Sequence, residues 1–567
     1  MHMKIRKYLF ALLAGCAAWT ALPAQNKLLD SPSRKLQLAE FAISNLYVDK
    51  VDEDKLVETA IVSMLEELDP HSTYSDPEEV KRLNEPLQGN FDGIGIQFNM
   101  ATDTLFVIQP VSGGPSEKVG ILAGDRIIEV NDTVIAGVKM NTDEVMRRLR
   151  GPKGSTVTVK VLRAGVKELL PFTIKRDKIP VYSLDASYMV EGKIGYIRVN
   201  RFAATTGQEF TDALHKLQKQ GMKDLILDLQ GNGGGYLNAA ISLCDQILGK
   251  KELIVYTEGR RNPRSEFEAK GDGDFQKGRL VVLVDEFSAS ASEIFSGAIQ
   301  DNDRGTIIGR RTYGKGLVQT QMSLSDGSEM RLTIARYYTP SGRCIQKKYE
   351  MGNTDAYDQD IYNRYMHGEF DSADSIKMDD SLKYQTVGGR TVYGGGGIMP
   401  DIFIPRDTSG VTSYYSNVVN SGVLYLYALE YSDRHREKLG SFKTWEELYN
   451  YLQQQPLLSD FVNFAATKGI KRRPTLINIS GKLIENQLQA YIVRNFFDEA
   501  GFYPIFLKDD VTLLRAIKIL QEGKSVPNAE LLKQSANGDL HSQAGPTKRY
   551  GLSKKRIFED YLVRAIG

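Results

Sequence analysis

The pattern of apolar and polar positions changes character several times along the chain, and each change marks a different kind of segment. Residues 34–88 carry apolar side chains at three- and four-residue spacing, as in DEDKLVETAIVSMLEEL, which predicts helices. Short alternating runs such as LFVIQPV and TVTVKVL follow, which predicts a mostly β module with one helix. The first part of the mature chain is therefore expected to contain a helical segment over residues 25–88 and a β module over residues 89–176.

Strands and helices alternate in the next part of the chain. KIGYIRV, DLILDL and LVVLV have the pattern of strands, and amphipathic helical runs separate them. This alternation indicates an α/β core with helices packed on a largely parallel sheet, and we place it at residues 177–405. Residues 406–522 are helix-patterned and are expected to pack on the core or to form a subunit contact. Residues 523–567 are polar with scattered Gly and Pro, which predicts a mobile tail.

The first 24 residues have the features of an export signal. A basic start is followed by a short apolar run and by small residues that end at Ala24. A transmembrane anchor needs about 18 or more apolar residues, and Thr20 and Pro23 interrupt a shorter run. The sequence LAGC also resembles a lipobox, which would tether the protein to a membrane through a lipidated Cys16. Both interpretations predict an exported protein of the periplasm or cell envelope.

Composition excludes several classes of function. The chain has 72 Lys+Arg against 71 Asp+Glu and no strongly basic run, so nucleic acid is not an expected partner. The three cysteines, Cys16, Cys244 and Cys344, form no CxxC pair, and no His is spaced to complete a metal site. We therefore expect neither a metal nor another cofactor, and whether Cys244 pairs with Cys344 stays open.

A glycine-containing loop leads into a strand near the start of the β module, with the sequence Gly93, Ile94, Gly95, Ile96. Glycine lets the main chain approach a ligand closely, although both glycines could also serve only a turn and a bulge. With GILAGDRI at residues 120–127, the module resembles a PDZ domain. The resemblance implies that the loop N–H groups bind the terminal carboxylate of a peptide, which adds to the sheet as a strand.

A second glycine-rich segment, GNGGG at residues 231–235, lies between a predicted strand and a predicted helix. Free backbone N–H groups at such a turn bind anions. A dinucleotide phosphate is a poor candidate because the GxGxxG spacing is absent. The other candidate is the oxyanion that forms during acyl transfer.

Ser288, Ser290 and Ser292 lie between an apolar strand and a helix in VDEFSASASEIFSG. A nucleophile at such a turn would be exposed, and the helix N-terminus would favour developing negative charge. The sequence SASE at residues 290–293 is also a capping box, in which Ser290 would only satisfy free N–H groups of the helix. The local sequence is compatible with either role.

A lysine has a more suitable setting for a catalytic base than a histidine. His215 lies in an amphipathic helix and His367 in a polar stretch, and neither has the setting of a catalytic triad. Lys315 follows Ser290 by 25 residues and lies between two glycines in a β-like, apolar stretch. A desolvated lysine loses its proton more readily, and a neutral lysine amine can act as a general base to a serine.

The motifs DLQGNGGG, VDEFSASASEIFSGAIQDNDRG, TYGKGLVQ and RYYTPSGRCIQ follow the PDZ-like module in this order. Together with that module they resemble the carboxyl-terminal processing proteases, also called tail-specific proteases, over roughly residues 35–405. The resemblance implies an α/β, ββα-type core, similar to crotonase and ClpP, with an inserted PDZ domain and helical N- and C-terminal segments. It also implies Ser290 as nucleophile, Lys315 as general base and Gln319 as the residue that orients the lysine.

The resemblance further implies an oxyanion hole made by the backbone N–H groups of Ala291, Gly233 and Gly234. Asp301 matches a supporting acidic position near the active site in some members of the family. The chain departs from the family pattern DLRxNPGG, since Gln230 replaces the Arg and Gly233 replaces the Pro. Because the oxyanion contacts come from the backbone, we expect activity to survive both changes.

The predicted function is that of an exported serine endopeptidase, which binds protein substrates by free apolar C-termini and cleaves near that end. A homo-oligomer through the helical segments is also expected. Two alternatives stay open from the residues alone. A PDZ-bearing adaptor would bind the same tails without cleaving them, and a crotonase-like acyl-transfer enzyme would use a similar glycine-rich turn.

Overall fold

The computed structural model describes residues 31–100 and 103–523. The predicted export signal, Cys16 and the predicted tail beyond residue 523 lie outside the described residues. The chain forms two compact units. Of the described residues, the smaller contains 31–76, 321–332 and 349–354, and the larger contains the others.

The small unit is mainly helical, as its apolar spacing predicts. Its first elements are helix α1 (Pro32–Leu46), helix α2 (Glu53–Glu66) and strand β1 (Thr73–Ser75), and β1 pairs with residues 329–331 of a later strand. Polar caps begin both helices, since the side chain of Ser31 accepts from the N–H of Arg34 and that of Asp52 accepts from the N–H of Lys55. None of the residues of α1 is buried. The large apolar side chains that α1 exposes are Leu36, Leu38, Phe41, Ile43 and Leu46.

Helix α3 (Pro77–Gln88) leads into the β module. The elements of the module are β2 (Asn90–Gly93), β3 (Ile96–Asn99), β4 (Leu105–Pro110), α4 (Pro115–Lys118), β5 (Arg126–Val130), β6 (Thr133–Val134), α5 (Thr142–Leu149), β7 (Thr156–Leu162), β8 (Leu170–Lys175) and β9 (Asp177–Pro180). Strands β3, β4, β5, β7 and β8 form a sheet in that order. Its inward side chains form a hydrophobic core of their own, which includes Leu105, Val107 and Val159. Among the described residues, β3 has a strand partner on one side only, so its other edge is open.

The α/β core contains a six-stranded sheet with helices on both faces. The elements of this part are β10 (Leu184–Met189), β11 (Ile194–Val199), α6 (Thr206–Lys219), β12 (Asp224–Asp228), α7 (Leu237–Asp245), β13 (Leu253–Glu258), β14 (Ser265–Glu268), β15 (Leu280–Val284), α8 (Ala291–Asp301), β16 (Thr306–Gly309), β17 (Leu317–Ser323), β18 (Glu329–Tyr338), α9 (Thr354–Asp358), α10 (Asp360–Met366), β19 (Lys383–Gln385), β20 (Thr391–Tyr393) and β21 (Ile402–Phe403). The strand order is β10-β11-β12-β15-β16-β21. Strand β10 is antiparallel to β11, and the other neighbours are parallel. Cys244 and Cys344 are both free, and Cys244 is buried.

Seven helices follow the core within the described part of the chain. They are α11 (Ser413–Asn420), α12 (Val423–Arg434), α13 (Arg436–Leu439), α14 (Trp445–Leu452), α15 (Leu457–Thr467), α16 (Pro474–Phe506) and α17 (Val511–Gln521). Most of them share a separate hydrophobic core. Helix α17 instead packs on the central sheet, where Leu513, Ala516 and Leu520 meet Ile226 and Leu283. No helix in residues 31–100 or 103–523 is both long and apolar enough to cross a membrane.

These elements confirm the predicted architecture, an α/β core with an inserted mostly β module and helical segments on both sides. The sheet brings the functional motifs together because parallel strands end at the same edge. The glycine-rich segment follows β12, and the serine-rich segment follows the adjacent strand β15.

Candidate active site

The three serines before helix α8 have different environments. Ser288 and Ser292 are fully buried. Their hydroxyls donate to carbonyls of the glycine-rich turn, Ser288 Oγ to Leu229 and Ser292 Oγ to Asn232, each at 2.8 Å. Ser290 is partly exposed and has a φ of +54°, a conformation that costs a non-glycine residue about 1–3 kcal/mol. The two outer serines therefore hold the turn in place, and the strained middle serine is accessible.

Glu293 links the turn of Ser290 to the loop that carries Lys315. Its side chain is fully buried, and its Oε2 accepts from the N–H groups of Ser290 and Lys315, both at 2.8 Å. Its Oε1 accepts from the N–H of Gly314 at 2.7 Å and from the hydroxyl of Thr312 at 2.5 Å. One carboxylate thus fixes the backbone of both predicted catalytic residues.

Burial raises the pKa values of two carboxylates around this turn. Desolvation raises the pKa of Glu293 to about 7, while its hydrogen bonds favour the ionised form and act in the opposite direction. Desolvation likewise raises the pKa of Asp285 to about 6. Asp285 Oδ1 accepts from the N–H of Gly231 at 3.0 Å and from the N–H of Ser288 at 3.1 Å, which ties the glycine-rich turn to the serine-rich one.

Other backbone groups of the lysine loop are also bound to the core. The N–H of Gly316 donates to Oε1 of Gln346 at 2.7 Å. The carbonyl of Gly316 accepts from the N–H of Tyr337 at 3.0 Å. The hydroxyl of Tyr337 lies within hydrogen-bond reach of two carbonyls, that of Ser290 at 3.1 Å and that of Lys315. Tyr337 therefore makes a second link between the serine turn and the lysine loop.

Gly234 lies directly against Ser290. Its φ is +104°, and a Cβ at this position would lie 2.8 Å from Ser290 Cβ, 2.8 Å from the Ala289 carbonyl oxygen and 3.0 Å from the Ala291 nitrogen. The close approach leaves no room for a side chain at Gly234. A Cβ on Gly233 would meet open space, so a small side chain would fit at this position.

Two backbone N–H groups at this place have no hydrogen-bond partner within the described residues, those of Gly233 and Ala291. The N–H of Gly234 already donates to Oδ1 of Asn232 at 2.8 Å. Of the three predicted oxyanion donors, two therefore have no partner among the described residues, and the third is engaged within the turn.

Gln319 and Asp301 lie in different settings. Gln319 lies on β17, and its Nε2 is buried without a hydrogen-bond partner in the part of the chain that the structure describes. Asp301 is the last residue of α8, roughly 16 Å along the helix from Ser290. Its carboxylate pairs with Arg343 at 2.7 Å, and both side chains are fully buried. Contrary to the expectation of a supporting acid near the active site, the length of α8 places Asp301 in the structural core.

A guanidinium reaches the glycine-rich turn although Gln230 replaces the arginine of the family pattern. Arg198, on the neighbouring strand β11, donates to the carbonyl of Gln230 at 2.9 Å and to the carboxylate of Asp228 at 2.5 Å. The turn is therefore held by a cation that comes from another strand.

The loop of residues 93–96 directs its carbonyls into the β module. The carbonyl of Ile94 accepts from the N–H and the hydroxyl of Ser116, at 3.0 and 2.7 Å, and that of Gly95 accepts from the N–H of Val111 at 3.0 Å. Gly95 has a φ of +71°. The N–H groups of Ile94 and Gly95 have no partner among the described residues, and Ile96 begins the open edge strand β3. This arrangement suits a carboxylate at the loop and a peptide along the edge.

Three residues that hold the site together were not predicted from the sequence motifs: Glu293, Tyr337 and Gln346. Glu293 had a signal, because it is the last residue of the capping box, but only its bond to Ser290 could be inferred from that pattern. Tyr337 and Gln346 lie in or beside the motif RYYTPSGRCIQ, where no local pattern indicates contact with the lysine loop.

Four segments of the chain match known protein families. Residues 20–79 match the activating protease CtpB N-terminal domain, residues 93–174 a PDZ domain, residues 193–355 Peptidase family S41 and residues 414–498 a family of unknown function, DUF8443. The PDZ match covers the sheet with the open edge strand, and the S41 match covers Ser290 and Lys315.

Similar proteins include a carboxy-terminal-processing protease of Bartonella bacilliformis, 41% identical over 321 residues, with 55% of this chain and 73% of the relative covered. The carboxy-terminal processing protease CtpA of Bacillus subtilis is 39% identical over 320 residues, with 56% of this chain and 68% of the relative covered. Among solved structures, a photosystem II D1 C-terminal processing protease is 30% identical, with coverage of 54% and 88% and a TM-score of 0.31.

A PDZ domain joined to an S41 peptidase core defines the chain as a PDZ-bearing serine endopeptidase. The chain belongs to the carboxy-terminal processing proteases, as its identity with the Bartonella and Bacillus relatives over most of their length shows. The predicted family and class of enzyme are confirmed, and nothing in the comparisons favours the adaptor alternative.

Proposed function

We propose that Ser290 and Lys315 form the catalytic dyad of this protease, with Gln319 orienting the lysine. The observation that carries the proposal is the carboxylate of Glu293, which accepts from the N–H groups of both Ser290 and Lys315. A general base must be held within reach of the proton that it removes. The shared carboxylate and the hydroxyl of Tyr337 support such a fixed arrangement.

In the proposed reaction, the neutral amine of Lys315 takes the proton of Ser290 Oγ while Oγ bonds to the carbonyl carbon of the scissile peptide. The C–N bond then breaks, and the lysine ammonium gives its proton to the leaving amine. Water attacks the acyl-enzyme with the same lysine as base, which releases the new C-terminus and restores Ser290.

The tetrahedral intermediates carry a negative charge on the former carbonyl oxygen, which preorganised donors stabilise. We assign this role to the N–H groups of Ala291 and Gly233, because both lack a partner within the described residues. The position of Ala291 at the start of α8 adds the favourable dipole of the helix N-terminus. Gly234 contributes by its small size, which lets the turn approach Ser290.

The proposed substrates are proteins with free apolar C-termini. The N–H groups of Ile94 and Gly95 are suited to a terminal carboxylate, and the open edge of β3 is suited to a peptide strand. Cleavage would follow near the end that the PDZ domain holds. The protein would act after export to the periplasm or cell envelope, with removal of the signal after Ala24 or with a lipid on Cys16.

A homo-oligomer through the N-terminal helix is part of the proposal. Helix α1 has no buried residue, and its apolar side chains form the kind of exposed surface that marks an interaction site. A second copy of the chain could cover this surface.

The test of the dyad is cleavage of a peptide or protein substrate by Ser290→Ala, Lys315→Arg and Ser292→Ala. The first two should lose activity by a factor on the order of 10⁴ or more, without a lower melting temperature, since guanidinium cannot act as the base. Ser292→Ala should lose stability and keep measurable cleavage. Full activity in Ser290→Ala would show that the nucleophile is another residue.

A further inference from the structure

A cleft of about 360 Å³ lies between the PDZ domain and the C-terminal helices. Asn99, Phe106 and Arg126 line it from the PDZ domain, and α12 supplies the other wall with Leu426, Leu429, Glu430, Asp433 and Arg434. The two walls are joined by an ion pair between Arg126 and Asp433 at 3.0 Å. Arg436 of α13 also packs against the PDZ domain, because a Cβ on Gly124 would lie 2.5 Å from its guanidinium.

The PDZ wall of the cleft is a row of residues across three strands. Asn99 of β3 is paired with Phe106 of β4, which is paired with Arg126 of β5. Directly paired residues of an antiparallel sheet direct their side chains to the same face. Since Leu105 and Val107 point into the PDZ core, this row lies on the opposite face of the sheet, under α12.

Helix α12 presents a separate face to this row. Leu426, Leu429, Glu430 and Asp433 follow the spacing of one helical face. Neither Leu426 nor Leu429 belongs to the hydrophobic core of the C-terminal helices, although Tyr427, Ala428 and Tyr431 of the same helix do. The two leucines therefore serve the cleft rather than the core of their own domain.

The open edge strand continues into the cleft. If the terminal residue of a bound tail lies opposite Ile96, the next residues lie opposite Gln97, Phe98 and Asn99. Ile96 and Phe98 pack on the PDZ core, whereas Asn99 belongs to the wall of the cleft. The fourth residue from the C-terminus, opposite Asn99, would present its side chain on the same face as Asn99.

We propose that this cleft is a specificity subsite for the fourth residue from the C-terminus of the substrate, with the C-terminal helical domain as one wall. The inference rests on the proposed capture of tails by the PDZ domain. It gives the segment matched to a family of unknown function a part in the selection of substrates.

The chemistry of the walls selects a bulky apolar side chain. Phe106, Leu426 and Leu429 provide apolar surface. Arg126 forms an ion pair with Asp433 at 3.0 Å, and Glu430 forms one with Lys468 at 3.8 Å. Arg434 also lines the cleft, but it is exposed to solvent. A substrate ammonium would lose water beside two guanidinium groups, with both wall carboxylates already paired. A substrate carboxylate could pair with Arg434 only in contact with water, where such pairs contribute little, so a leucine or phenylalanine at the fourth position should bind better than alanine, glutamate or lysine.

The test measures binding of fluorescent ten-residue peptides to the full-length Ser290→Ala variant, which keeps the peptides intact. All peptides share their last three residues, and the fourth from the end is Leu, Ala, Glu or Lys. We expect the Leu peptide to bind about fivefold to tenfold more tightly than the Ala peptide, since its side chain is partly buried. Equal affinity of all four peptides would overturn the proposal.

A reciprocal charge exchange then tests direct contact with α12. Leu426→Glu should favour the Lys peptide over the Glu peptide, and Leu426→Lys should favour the Glu peptide over the Lys peptide. Leu514→Glu is the matched control, because Leu514 lies on α17 and is 46% exposed. It should leave the preferences unchanged. The same loss of affinity for all peptides in both Leu426 variants would mean that the cleft is only an interdomain contact, contrary to the proposal.

Peptides with a C-terminal amide separate this inference from the proposed function. If acid and amide bind equally to the parent Ser290→Ala variant, capture of the terminus fails, and the subsite fails with it. If the acid is preferred but exchanges at Leu426 leave the fourth-position preference unchanged, only the subsite is wrong. Melting temperatures of both Leu426 variants establish that the helices remain folded.

Discussion

Glu293 is the third residue of helix α8, where a capping box needs a glutamate, and its carboxylate also holds the lysine loop. Its four partners are three backbone N–H groups and one hydroxyl. All of them act as donors, so the ionised carboxylate is the form that matches them. A residue that caps a helix is thus also a positioning residue for the proposed Ser290 and Lys315 dyad.

Glu293→Gln tests whether the acceptor oxygens of this carboxylate position the proposed dyad, because the substitution keeps the size of the buried side chain. The amide has two donor hydrogens on one side, which would face donors that now bind the carboxylate. We expect a loss of about 1–3 kcal/mol in stability and about a hundredfold loss in kcat/KM, because misplacement by about 1 Å is enough for that effect. Asp301→Asn is the matched control in the same helix. It should lose stability but keep kcat at temperatures where it is folded.

The raised pKa of Glu293, about 7, predicts a pH dependence of stability. In the unfolded chain the group titrates near its ordinary pKa of about 4.3, so between these values the folded state binds more protons. The stability that the group contributes is present below the unfolded pKa and is lost as the pH rises through about 7. The melting temperature should therefore fall between pH 5 and pH 8 by more in the wild type than in Glu293→Gln. An equal fall in both proteins would assign the pH dependence to other groups.

The glycine-rich turn departs from the family pattern at Gln230 and Gly233. That pattern has a proline at the position of Gly233, and proline has no N–H to stabilise an oxyanion. In this chain Gly233 has an N–H without a partner among the described residues, whereas the N–H of Gly234 donates to Asn232. The loss of proline therefore offers a donor that the family pattern lacks.

Gly233→Pro and Gly233→Ala test this role as a pair. Alanine keeps the N–H, and its Cβ meets open space, so Gly233→Ala should retain most of the activity. Gly233→Pro removes the donor and should lower kcat by about 10²–10³-fold, the usual cost of one oxyanion donor. If Gly233→Pro keeps full kcat, the donor is the N–H of Gly234, released from Asn232 when substrate binds.

At the scale of the whole molecule, we expect self-association through the exposed apolar side chains of helix α1. Phe41 and Leu38 are 60% and 57% exposed, and contiguous apolar surface of this kind is unfavourable in water unless a partner covers it. Light scattering of the mature protein should give a mass above that of one chain. Phe41→Glu should shift the mass to that of a monomer, and Lys35→Glu on the same helix should not. A wild-type monomer at all accessible concentrations would refute the interface.

The sequence by itself determined the order of the modules and the residues of the proposed dyad. Helical and strand periodicities are local, and so are the motifs around Ser290 and Lys315, since each residue lies within a few positions of the glycines or serines that identify it. The fold class and the family therefore followed from short windows of the chain.

Only the tertiary structure decided which distant residues meet. Packing brings Glu293 against the lysine loop and carries Arg198 to the glycine-rich turn, contacts between segments separated by 20 or more positions. The same packing places Asp301 at the far end of α8 and sets Leu426 of α12 opposite the PDZ sheet. Such contacts depend on how whole elements pack, because side chains far apart along the chain meet only after the sheets and helices have assembled.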